Sequence, residues 1–209
     1  EQVFDLAMAF AYQPLPAGDR VAIVTNAGGP GIMMSDALEM AGLKIAQLDT
    51  ETTNKLLEFL PPAASVHNPV DVLGDASGAT YGKAIDIIMQ SPVVDSVIVV
   101  LTPQKMTDDD VVAQNVIDLS KKYKKTIFTC FIGSGSIVKG VELLKDNQIP
   151  QYSTPERAAK AMLEMVKYKQ YKSRPLRMVE RFSINKYPVI KIIKAYRSRG
   201  LFDIGEIDG

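Results

Sequence analysis

A chain of 209 residues with 46% hydrophobic content has enough apolar mass for one good core, so one main domain with an appendage is expected. Its 24 Lys and Arg balance 24 Asp and Glu, with no large block of either sign, which argues against nucleic acid or anionic lipid as a partner. No run of about 18 apolar residues points to a membrane, the start EQVFDLAMAFAYQ lacks a secretory signal, and Cys130 alone builds no disulfide framework, so a cytoplasmic protein is expected.

Val3, Leu6, Ala7 and Phe10 recur at helical spacing until Pro14 and Pro16, so residues 1–16 read as a leading helix and a connector from a preceding domain. With no initiator Met before it, this opening is expected to be an internal segment of a longer protein. Arg20 to Thr25 (RVAIVT) is a short apolar run of the kind found in buried parallel strands, and it ends in Asn26-Ala-Gly-Gly-Pro-Gly31. A helix should follow, with Ile32, Met33, Leu38, Met40 and Ala41 as its apolar positions and Gly42 as its stop, before a strand at 43–48. Thr50 is placed to cap a helix over 51–60, and the irregular stretch AASVHNPVDVLGDASG follows, with a short strand at 70–73.

The alternation then resumes with a helix near 80–90, a strand at 96–101, a helix at 108–123 and a strand at 126–132. A helix at 136–147 and a short strand at 149–152 lead to Ser153-Thr-Pro-Glu156, which has capping-box spacing and a proline suited to the first helical position. That last core helix should run to about Tyr171, closing a main domain over 17–171. Residues 172–209 read as a linker with one amphipathic helix near 188–199, whose apolar face of Val189, Ile190, Ile192 and Ile193 wants a partner. Alternating strand and helix predict a three-layer α/β fold with an open parallel sheet of the flavodoxin or Rossmann kind.

Such a sheet binds ligands beyond the carboxyl ends of its strands, and in the order 2-1-3-4-5 the crevice falls between the first and third strands. Asn26 to Gly31 and Thr102-Pro-Gln-Lys-Met-Thr107 would meet there. The first loop suits an anion, because glycines let backbone N–H groups approach it and a helix N-terminus carries partial positive charge. It fits neither a Walker A nor a GxGxxG motif, and a tight turn that needs glycine only for its geometry is the alternative. Asn68 to Asp71, with Gly74 and Asp75, forms a third loop able to reach the same end, although loop aspartates commonly serve as turns or caps. His67, the single histidine, has no second histidine or nucleophile in its motif and reads as serving loop structure. Cys130 reads as a small buried apolar group, and Asp108 to Asp110 as complementing a helix dipole without metal.

Taken together and in order, RVAIVTNAGGPG, ASVHNPVDVLGDAS, DSVIVVLTPQKMTD and IPQYSTPERAAKAM resemble the succinyl-CoA-ligase-like domain of NDP-forming acyl-CoA synthetases, the ADP-forming acetyl-CoA synthetase family. The resemblance implies a reaction of acyl-CoA, phosphate and ADP giving acid, CoA and ATP through an acyl phosphate and a phosphohistidine. It implies CoA-binding, phosphohistidine and ATP-grasp domains as partners, in the same chain or a second subunit. CoA, ADP or ATP, magnesium and phosphate serve the whole enzyme, with no cofactor held and no reaction catalysed by this segment alone. The phosphohistidine of that family lies in a motif like SHTGS, which is absent here, so His67 is not its counterpart. By motif position, Asn26, Ala27, Gly28, Gly29 and Gly31 would face the phosphoryl group. Asp71, Gly74, Thr102, Pro103 and Gln104 would neighbour the acyl or phosphoryl group, and the tail would lead toward an ATP-grasp domain. Two other readings are an acyl-CoA- or nucleotide-sensing module fused to a protein acetyltransferase, and an electron carrier, which the absence of tryptophan and of a Ser/Thr-rich phosphate loop disfavours.

Overall fold

The computed structural model describes residues 2–133, 137–175 and 185–202. In chain order the elements are α1 (Gln2–Tyr12), β1 (Arg20–Thr25), α2 (Gly28–Met40), β2 (Lys44–Ile45), α3 (Thr50–Leu57), β3 (Val70–Asp71) and α4 (Gly78–Gln90). They continue with β4 (Ser96–Leu101), α5 (Asp109–Lys122), β5 (Thr126–Phe131), α6 (Val138–Asp146), α7 (Pro155–Lys172) and α8 (Tyr187–Ser198). All strand pairs are parallel, in the order β2-β1-β4-β5, with β3 also on β1. The expected α/β architecture is the observed one.

Period-two alternation divides each central strand between two cores. Val21 and Ile23 of β1 pack with Met34, Leu38, Tyr152 and Met162 of the α1, α2 and α7 side. Ala22 and Val24 pack with Leu56, Tyr81, Ile85, Val112 and Val116 of the α3 to α6 side. Every residue of β4 (SVIVVL) and β5 (TIFTCF) is buried, as expected of near-continuous apolar strands covered on both faces.

Several local expectations are corrected. In α2 the buried stripe is Gly31, Met34 and Leu38, whereas Ile32, Met33 and Met40 are exposed. The phase follows Gly31, where a Cβ would come 2.9 Å from Thr25 Cγ2, so this turn of α2 lies directly on β1. Gly28 and Gly29 are not a turn before the helix but its first residues. Asp49 rather than Thr50 caps α3, accepting from Thr52 N at 2.7 Å. No capping box forms at α7: Thr154 makes no side-chain cap bond, and Ser153 Oγ instead accepts from Arg157. The strand expected at 149–152 reduces to a bridge of Gln151 to Thr129. Ser136 lies outside the described residues.

Two compact units partition the chain, Glu1–Arg174 and Pro175–Gly209. In the first, α1 is tied to α7 by a paired Asp5–Arg157 contact at 2.8 and 2.6 Å and by the Phe10–Tyr168 edge contact. The described part of the second is dominated by α8, on which Val189, Ile190 and Ile193 are exposed. Among the described residues no helix is long and apolar enough to cross a membrane.

The outer edge of β5 is closed by carboxamides. Gln13 Oε1 accepts from Ile127 N and Gln151 Oε1 accepts from Phe131 N, while Pro150 O takes Thr129 N between them. On β1 the edge passes from β2 at its start to β3 at its end, and the side chain of Asn68 sits at the changeover.

Candidate functional site: the crevice beyond β1 and β4

Strands β1 and β4 are adjacent, so the loops that follow them meet at the carboxyl end of the sheet. Asn26 joins them. Its Nδ2 donates to Thr102 O at 2.9 Å, and its Oδ1 accepts from Thr102 N at 3.0 Å and Thr102 Oγ1 at 3.1 Å. The carboxamide of Asn26 and the hydroxyl of Thr102 are therefore committed to each other, which makes them a clasp across the crevice.

The next residue, Ala27, starts α2 in an extended conformation without a side-chain cap, its N–H donating to Thr25 Oγ1 at 3.1 Å. Gly31 N closes the first turn on Ala27 O at 3.1 Å, and Pro30 has no N–H. The N–H groups of Gly28 and Gly29 consequently have no partner among the described residues, at the positive end of a 13-residue helix. Neither glycine is required by the backbone, since among the described residues the positive-φ glycines are Gly42, Gly133 and Gly200. A Cβ would meet nothing within 4 Å at Gly29 and only Asp71 Oδ2, at 3.5 Å, at Gly28. Gly31 is the packing glycine. The other two leave the approach to their N–H groups open.

Asp71 follows Val70 at the end of β3, where Val72 N donates to Thr25 O at 2.9 Å. Its Oδ1 accepts from Leu73 N at 2.9 Å, leaving Oδ2 toward Gly28. Gly74 lies under Gln104, whose Cδ would be 3.4 Å from a Cβ there. Pro103 is packed against Gly133, where a Cβ would come within 2.6 Å of Pro103 Cγ. All ten residues singled out thus fall on three touching loops and the first turn of α2. Beneath them, buried Tyr81 donates to Val100 O at 2.9 Å, and burial, then the nearby Asp71 carboxylate, pushes its phenol well above the usual range.

The remaining candidates lie apart. His67 is exposed and lines a cleft of about 800 Å³ at the β2 edge with Arg20, Glu39, Lys44 and Leu48. Asp75 is exposed on its turn. Asp109 accepts from Gly140 N at 2.7 Å, joining α5 to α6. Cys130 is fully buried, and desolvation, with a smaller contribution from Glu156, pushes its thiol up to about 12. What sequence reasoning missed is the bonding of Asn68, which looks in sequence like any turn asparagine before proline.

An open parallel sheet with helices packed on both faces defines the class as an α/β domain of doubly wound type. Within that class the chain belongs to the Ligase-CoA domain family, whose model matches residues 21–176. It is 40% identical over 171 residues to the acetate–CoA ligase (ADP-forming) II subunit alpha of Pyrococcus furiosus, covering 79% of this chain and 37% of that protein. It is 35% identical over 192 residues to the 4-hydroxybutyrate–CoA ligase (ADP-forming) of Nitrosopumilus maritimus, covering 92% of this chain and 27% of that protein. A solved dinucleotide-forming acetyl-coenzyme A synthetase 1 of Ca. Korarchaeum cryptofilum, in complex with phosphate and ADP, superposes with a TM-score of 0.77 at 28% identity, over 84% of this chain and 39% of that one. The chain therefore spans only about a quarter to two fifths of these proteins.

Proposed function

We propose that this chain is the ligase-CoA domain of an NDP-forming acyl-CoA synthetase and forms one wall of its phosphoryl site. The reaction is acyl-CoA, phosphate and ADP giving carboxylic acid, CoA and ATP, with the CoA-binding, phosphohistidine and nucleotide-binding work done by other domains. The observation that carries this reading is the pair of unpartnered N–H groups of Gly28 and Gly29 at the crevice, in a chain whose relatives bear ADP-forming ligase names.

The contribution of the domain is electrostatic. Two preorganised N–H donors and the α2 dipole favour the oxygens of a phosphoryl group, and one such donor is commonly worth about 10²–10³ in rate. Asn26 and Thr102 hold the β1 and β4 loops together, while Gln104 packs on Gly74 of the third loop and Pro103 on Gly133. Asp71 sets a limit, because its Oδ2 stands beside Gly28 and opposes a second negative charge. A free phosphate is thus held weakly by the domain alone and needs positive charge from elsewhere in the enzyme. In this reading magnesium belongs with the nucleotide-binding part of the enzyme.

The test is ATP formation from ADP, phosphate and acetyl-CoA with magnesium, by the chain alone and by the chain mixed with separately made CoA-binding, phosphohistidine and ATP-grasp parts. Activity is expected only in the assembled mixture and should be lost with Gly28→Val plus Gly29→Val in folded protein. Turnover by the chain alone, or full activity of the double variant, overturns the reading.

A further inference from the structure

The edge of β1 is shared by two short strands that do not overlap: β2 pairs at Arg20 and Val21, and β3 pairs at Val24 and Thr25. Between them one side chain does the work of a strand. Asn68 Oδ1 accepts from Ile23 N at 2.9 Å, and Asn68 Nδ2 donates to Val21 O at 2.8 Å and to Ala46 O at 3.0 Å. Both N–H groups of the amide and its oxygen are used, and the bonds reach β1 and the residue just past β2 together. Only a carboxamide of this length supplies one acceptor and two donors there, since a carboxylate has no donor and would face two carbonyl oxygens.

Two residues beyond Asn68 the chain enters β3, and the next residue is Asp71, whose carboxylate lies beside Gly28. The same segment is held on its other side by Ser65, whose N–H donates to Asp71 O at 3.1 Å and whose carbonyl accepts from Asp71 N at 3.0 Å. Asn68 therefore fixes where β3 begins along β1, and with it the height of Asp71 and of the 71–76 turn over the N-terminus of α2.

We infer that Asn68 is a positioning residue for the crevice, setting the placement of Asp71 against Gly28 and Gly29 through the edge of β1 without itself reaching a ligand. This rests on the phosphoryl-site reading. A misplacement of about 1 Å in such a site costs roughly 10²-fold in rate.

The experiment compares Asn68→Ala, Asp71→Asn, their combination and Gly29→Val in the assembled synthetase, reading kcat, KM for ADP and melting temperature. Asn68→Ala is expected to lower kcat at least about tenfold with KM for ADP unchanged, and the double variant to be no slower than the slower single one, because both changes act through one carboxylate. Melting temperature should fall with Asn68→Ala in either background. Rate losses that multiply, or a lowered melting temperature with normal kcat, overturn the inference. An unaffected Gly29→Val overturns the phosphoryl-site reading, and the role of Asn68 falls with it. Loss in Gly29→Val beside a normal rate in Asn68→Ala overturns the role of Asn68 alone. Should Asn68→Ala not fold, Asn68→Asp replaces it. This variant keeps the acceptor and regains one donor only when protonated, so its kcat relative to the parent should rise as pH falls. A ratio flat with pH overturns the inference.

Discussion

At Gly29 the open approach to a backbone N–H and the needs of the helix pull in opposite directions. A methyl group there meets nothing within 4 Å, and alanine restricts the unfolded chain more than glycine does, so Gly29→Ala should stabilise the domain by about 0.5–1 kcal/mol. For a domain of this size that is a rise of roughly 1–4 °C, seen in a thermal melt. The same methyl stands beside the two donors, so the assembled enzyme should slow in the ATP-forming assay. A second residue-scale prediction concerns Cys130. With its thiol pushed up to about 12 and no exposed surface, it should resist iodoacetamide at pH 8 while folded and react once denaturant unfolds the chain, as mass spectrometry would record.

At the scale of elements, the starts of β1 and β4 are joined by an ion pair. Arg20 Nε and Nη2 reach the two oxygens of Asp95 at 2.8 Å each, and Arg20 N adds a third bond at 3.0 Å. These bonds, the arginine side chain foremost, hold the Asp95 carboxyl below the usual carboxylate range. Its folded value lies under its unfolded one, so the stabilisation is complete above about pH 4 and disappears as pH falls through the folded value. Asp95→Asn should cost roughly 1 kcal/mol at pH 7, a figure kept low because the Arg20 side chain is 41% exposed and screened by solvent. The difference from the parent should shrink below about pH 4 in denaturant melts. What could be read of these elements in advance followed one rule. β1, β4 and β5 are near-continuous apolar runs, buried on both faces, and declare themselves in sequence. β2 and β3 are two residues each, with the Asn68 amide bonding to β1 in the gap between them, and no hydropathy pattern encodes that. Likewise the face of α2 is set by Gly31 lying on Thr25, a contact made by the absence of a side chain, so the apolar Ile32 and Met33 fall on the exposed face. The crevice residues were legible as three loops at one end of a sheet, whereas the Asn26–Thr102 clasp required coordinates.

For the molecule as a whole, the carboxamides along the outer edge of β5 bear on what the domain can join. A bare parallel edge invites another strand, and natural sheets avoid this by covering or interrupting it. Here Gln13 and Gln151 occupy the outward N–H groups of Ile127 and Phe131. Replacing both with alanine should leave the sheet intact but free those groups, and light scattering should then rise with protein concentration, whereas the parent stays unchanged. Closed by these side chains and by the backbone of 150–152, the β5 edge offers a new strand few free groups. The relatives named above include a subunit alpha, of which this chain covers 37%, and a ligase of which it covers 27%. With that edge covered, the domain can sit beside other domains without β5 recruiting a stray strand.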